Sequence, residues 1–158
     1  MVVYGAGVLP YHVNDSGETH VLLGKERYEG TWSDFGGRNE TRVDDNDPRK
    51  TAAREFVEES IGILTYDECF ERIRNVRPVL SRTLNGSTYY MFAMRLDPKP
   101  DDASAFEVRS AACSSRVQLE KRVISWVKLD VACDMDLRSV FRSTLKEHMS
   151  EIKKACLP

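Results

Sequence analysis

Glu55, Glu58 and Glu59 carry the spacing most open to chemistry, in the run Arg54-Glu55-Phe56-Val57-Glu58-Glu59. At i, i+3 and i+4 they share one face of a helix. Like charges so placed repel by about a few tenths of a kcal/mol when exposed, and by more when water is excluded. Bound cations remove the conflict. Oxygen-only ligands suit hard ions such as Mg2+ or Mn2+, and Mg2+ shares its shell with waters and substrate phosphates. The cluster therefore points to a metal-phosphate site, not to zinc. Taken alone, the same residues also describe a solvated acidic helix face balanced by Lys and Arg. The surrounding sequence decides between the two.

Asp47-Pro48 is a helix start, an N-cap acceptor followed by proline at the first helical position. Helix formers run to about Ser60, with Gly62 as the C-terminal stop. Ala52, Ala53, Phe56 and Val57 give this helix an apolar side, so Phe56 can face a core while the glutamates face a cleft. Upstream, Gly36-Gly37 follows an aromatic stretch and marks backbone that must turn or approach something closely. Between them, 42–47 reads as a polar loop. Residues 2–13 and 19–25 read as a hairpin about Asn14-Asp15-Ser16-Gly17, and 66–73 as a short helix. Val76–Leu84 and Ser87–Leu96 read as strands about Asn85-Gly86, a strong hairpin signal. Tyr89 to Met94 are apolar on both faces, as in a central strand covered on both sides. Residues 97–105 read as loop, 106–122 has no clear period, and Val123–Leu129 is strand-like. From Leu137 onward, apolar residues recur at helical spacing. The expected architecture is one α/β domain over 1–158, an α/β/α sandwich with a mixed sheet.

With 158 residues, 41% apolar and 30% charged, the chain has ordinary globular composition. Its net charge of -2 gives no reason to expect nucleic acid or anionic membrane as main partner. Cys69, Cys113, Cys133 and Cys156 are scattered without metal-ligand spacing and read as thiols in a reducing compartment. No stretch approaches the ~20 apolar residues of a membrane helix. The apolar start has no basic segment and reads as a strand, so a cytoplasmic location is expected.

With the double glycine before the helix and Gly62 after it, the sequence resembles the Nudix hydrolase family. That family's box reads Gly, five residues, Glu, seven residues, then Arg-Glu-apolar-any-Glu-Glu-any-Gly-apolar. Gly37 matches the leading glycine, and Arg54 to Ser60 match the core of the second half. Glu40 fits the acidic residue that often follows the glycines, and Trp32 and Trp126 also look familiar. Two departures stand out. Three extra residues lie within 41–47, which puts Asn46 where the family has its first glutamate, with Asp44, Asp45 or Asp47 as substitutes. Ile61 occupies the closing-glycine position, with Gly62 one residue late.

The resemblance implies a Nudix-type α/β/α sandwich and Mg2+- or Mn2+-dependent hydrolysis of a nucleoside diphosphate linked to another group. By the family pattern Glu58 and Glu59 are direct metal ligands. Glu55 is a third ligand or assists the water, and a carbonyl of Gly36 or Gly37 adds an uncharged ligand. Arg54 orients a neighbouring carboxylate. The family often takes its base from a later loop, for which Glu120 ranks before Glu107. Arg27, Lys25 and Arg38 flank the glycine-rich passage; Arg27 and Arg38 are candidate phosphate binders. Tyr28, Trp32 and Phe35 are candidates for stacking on a base, or for the core. A small nucleotide is the expected substrate. Capped RNA is less favoured, since the chain shows no basic tail, and a homodimer is expected by resemblance. The competing reading is a catalytically weak or inactive Nudix-fold module that binds a nucleotide or RNA end.

Overall fold

The computed structural model describes residues 3–113 and 120–158. Its seven strands join one mixed sheet: β1 Tyr4–Val13, β2 Thr19–Glu26, β3 Trp32–Ser33, β4 Phe35–Arg38, β5 Val79–Arg82, β6 Thr88–Arg95 and β7 Lys121–Lys128. The first strand is the hub. One edge of β1 runs parallel to β6 from Tyr4↔Thr88 to Tyr11↔Arg95. Its other edge is shared, with β4 opposite Gly5–Val8 and β2 opposite Tyr11–Val13, both antiparallel. Beyond these, β5 pairs with β6, and β2 pairs with β3 and β7.

Alternation along the strands builds two cores. Tyr4, Ala6 and Val8 of β1, with Phe92 and Met94 of β6, face helices α2 (Pro48–Ser60), α3 (Tyr66–Ile73) and α4 (Asp102–Ala112). Leu9 and Tyr11, with Tyr89, Met91 and Ala93, face α5 (Leu129–Ala132) and α6 (Ser139–Ala155). The apolar run in β6 is thus covered on both sides, and the expected α/β/α sandwich is present.

The helix start at Asp47-Pro48 is realised: the Asp47 carboxylate accepts from the Arg49 amide at 2.9 Å. Three expectations about loops change. The polar segment 42–47 contains a helical turn, α1 (Thr41–Asp44), closed by Asp45 and Asn46 in left-handed conformation. Asx residues tolerate that region, which lets the three extra residues coil up instead of looping out. The 97–105 loop ends at Asp101, where α4 begins. That helix buries only Phe106, too little apolar pattern to read in sequence, and Asp102 accepts from the Trp126 indole at 2.9 Å. Finally, α2 is closed by Ile61 at φ 54, followed by Gly62 at φ 78. A left-handed branched residue costs roughly 1–2 kcal/mol. Ile61 is 9% exposed and joins the α2-side core, which offsets about that much.

Candidate functional site

The two adjacent glycines serve opposite faces of the sheet. A Cβ on Gly36 would collide with the Tyr89 hydroxyl, which sits in a slot between Gly7 and Gly36 and donates to Asp34 at 2.7 Å. A Cβ on Gly37 would fall 2.6 Å from the Glu55 carboxylate. Glycine at 37 therefore lets the Glu55 side chain lie flat against β4.

On that carboxylate the site is built. Oxygens of Glu55, Glu59 and Glu120 lie within 4.8 Å of one another. Glu55 and Glu59 are buried and come from successive turns of α2; Glu120 is exposed just before β7. Glu59 is 1% exposed, and its Oε1 has no hydrogen-bond partner among the described residues. A buried, unpartnered carboxylate oxygen beside two further carboxylates is a donor set that a hard divalent cation fits. Glu58 stands outside this trio, with Oε2 3.4 Å from Arg54 Nη1.

Arg54 is the hub of the surrounding charges. Its Nε and Nη2 fork onto the two oxygens of Asp44, both at 3.0 Å, and Nη2 also donates to the Arg38 carbonyl at 3.1 Å. Nη1 lies 2.9 Å from Glu55 Oε1 and 3.5 Å from Glu40 Oε1. The doubtful aspartates separate cleanly: Asp44 holds Arg54, Asp45 pairs with Lys50, and Asp47 caps α2. Asp44 is 1% exposed and also accepts from Thr51 Oγ1 and the Glu40 amide, each at 2.8 Å.

Burial pushes the Glu55 carboxyl up to about 7, with Arg54 opposing and Glu58 and Glu120 adding to the rise. Burial also drives Glu59 well above its usual range, against the pull of Lys121. Such groups bind more protons folded than unfolded. The Glu55 contribution to stability is therefore complete below about 4.5 and is lost as pH rises through about 7. Melts in chelator should show Tm falling from pH 5 to pH 8, and Mn2+ at pH 8 should restore it. A flat profile that Mn2+ leaves unmoved would contradict the carboxylate nest.

The other candidates divide. Arg38 and Gly37 line a cavity of about 320 Å3 on the α6 side, together with Asp34, Tyr89, Arg138 and Phe141. Arg27 and Tyr28 do not reach it; they border a separate depression with Glu107 and Arg122, and Tyr28 is 91% exposed. Phe35 is core, edge-on to Phe56 at 5.3 Å, and Trp32 packs against the α6-side cluster. Sequence reasoning missed Lys121, Asp34 and Tyr89. Glycines at 5 and 7, two apart on a strand and so on one face, were the available signal for a bulky neighbour such as Tyr89.

Comparison with known proteins bears on the fold. No family model and no curated protein sequence matches the chain. Solved structures do. A Nudix hydrolase from M. smegmatis, RenU, aligns at TM-score 0.62 and 17% identity over 98% of this chain and 88% of that one. The NUDIX domain of Shewanella oneidensis NrtR, complexed with ADP ribose, aligns at 0.61 and 13% over 96% and 89%. A C. elegans Ap4A hydrolase aligns at 0.58 and 17% over 95% and 98%. The chain has the Nudix fold.

Proposed function

We propose that this chain is a divalent-cation-dependent hydrolase of the Nudix type that cleaves a phosphoanhydride bond in a small nucleotide. The observation that carries the reading is the Glu55–Glu59–Glu120 trio, with a fully buried, unpartnered oxygen on Glu59. Mg2+ or Mn2+ held there by Glu55 and Glu59 would neutralise diphosphate charge and acidify a water. Glu120, exposed at the rim, is the group able to take a proton and pass it to solvent. Arg38, next to Gly37 at the end of β4, offers a guanidinium fork to phosphate oxygens; the cavity it lines with Arg138 lies on the α6 side of the sheet. Arg54 touches no substrate; it fixes Glu55 and Glu58 from behind. Among the described residues, no helix is long and apolar enough to cross a membrane.

ADP-ribose and Ap4A, named with two of the structural relatives, are the first probes. Nucleoside triphosphates, nucleotide sugars and capped RNA complete the panel. Release of a nucleoside monophosphate or phosphate is expected with Mg2+ or Mn2+ and abolished by chelator. Tight nucleotide binding without any divalent-dependent product would favour the binding module instead.

A further inference from the structure

Lys121 is the one lysine the fold buries completely among the described residues, at 1% exposure, although it begins a strand beside the exposed Glu120. Its register partner on β2 is Glu26, and its stem passes over Gly24, where a Cβ would meet Lys121 Cδ at 2.6 Å. The ammonium ends among oxygens from β2, from α2 and from Asp34 between β3 and β4. It donates to Glu26 Oε1 at 2.8 Å and to the Asp34 carbonyl at 2.9 Å, and lies 3.9 Å from Glu59 Oε2. It also sits 5.6 Å from the centre of the Phe35 ring. A buried ammonium persists only where partners replace its water. This arrangement of carboxylates and a backbone carbonyl is the kind of nest that hard cations choose.

Glu59 is shared between this nest and the trio. One oxygen faces Lys121, and the other has no partner. We propose that Lys121 is a built-in cation of the carboxylate site. Its ammonium fills an oxygen nest that would otherwise take a divalent ion, and it positions Glu59 so that only the free oxygen serves the Glu55–Glu59–Glu120 trio. This rests on the hydrolase reading above, because it assumes that the trio binds a divalent cation. It goes beyond that reading in assigning part of the site's positive charge to the chain itself. The consequence is a chain that takes one divalent cation fewer than its carboxylates could accommodate.

Mn2+ counted by electron paramagnetic resonance on the purified chain tests this without any turnover. Lys121→Ala empties the nest and should bind one more Mn2+ per chain than wild type, with a larger Mn2+-induced rise in Tm. Lys121→Met fills the same space with a neutral side chain and should gain none. An equal count in wild type and Lys121→Ala overturns the inference alone; a wild-type chain that binds no Mn2+ overturns the hydrolase reading together with it. Should the variants fail to fold, wild type still decides. Lys121 should resist reductive methylation, read by mass spectrometry, with and without saturating Mn2+. Methylation that appears on adding Mn2+ means that the ion expels the lysine from the nest, and the inference falls.

Discussion

Glu59→Gln should cut divalent-dependent turnover by roughly 10^3-fold, the scale of losing a principal electrostatic group from an active site. The same change should leave the metal-free fold at least as stable as wild type. Both expectations come from one feature. Glu59 is 1% exposed, its Oε1 has no partner, and burial already holds its carboxyl well above the usual range. Without a divalent ion that carboxylate lies close to Glu55 and Glu120, offset by Lys121 from 3.9 Å, and a neutral amide relieves the repulsion. With a divalent ion it would be the deepest ligand of the trio. Glu58→Gln should cost less, because Arg54 holds Glu58 outside the trio. Steady-state kinetics at saturating Mg2+, together with melts in chelator, read both effects. Turnover within tenfold of wild type in Glu59→Gln would remove Glu59 from the mechanism. A matching loss of apo stability would make it a structural residue.

What the sequence discloses and what it hides follow from the range of the interactions. Helix α2 was legible because its determinants are local: Asp47 and Pro48 are neighbours, and the glutamate spacing is that of one helix face. The two-sided burial of β6 was legible because a run from Tyr89 to Met94 with no polar member has few other destinations. The closing of α2 at Ile61 was only half legible. A departure from the family pattern was visible, but its resolution needed the tertiary fact that the Ile61 side chain lands in the core. Helix α4 was hidden because a single buried residue, Phe106, anchors it.

The site divides along the same line. Three carboxylates could be placed on one face from spacing, yet the structure regroups them: Glu120 joins Glu55 and Glu59, while Glu58 turns to Arg54. That regrouping depends on β7 arriving beside α2 through the sheet, which no local pattern encodes. Lys121 lay equally out of reach. Its partners are 95 and 87 residues away in sequence, and a lysine next to a glutamate ordinarily reads as surface. Tyr28 and Arg27 were candidates from their nearness in sequence to Gly36-Gly37; they border a depression with Glu107 and Arg122, and the Arg27 amide donates to the Glu120 carbonyl at 2.8 Å.

Arg54→Met should destabilise the chain by about 3–5 kcal/mol, the usual cost of stripping one partner from a buried ion pair. For a chain of this size that lowers Tm by about 10 °C. The reason lies in Asp44, 1% exposed, which takes two of its hydrogen bonds from the Arg54 fork. Burial works to raise the Asp44 carboxyl, and Arg54, Thr51 and the Glu40 amide together outweigh it and hold the group below its usual value. In wild type that contribution is present at neutral pH and is lost only as pH falls through the depressed value. Without Arg54 the balance tips toward burial, and neutral pH becomes the unfavourable condition. Arg54→Lys keeps the charge but not the planar fork, so it should recover only part of the loss. Asp44→Asn should lose less stability than Arg54→Met, since a neutral amide can be buried more easily than an unpaired carboxylate. The double variant should fall well short of the sum of the two single losses, because both remove the same pair. Additive losses across that cycle would mean that Asp44 and Arg54 act separately. The three-residue insertion would then not have supplied, through Asp44, the carboxylate that the box lacks at Asn46.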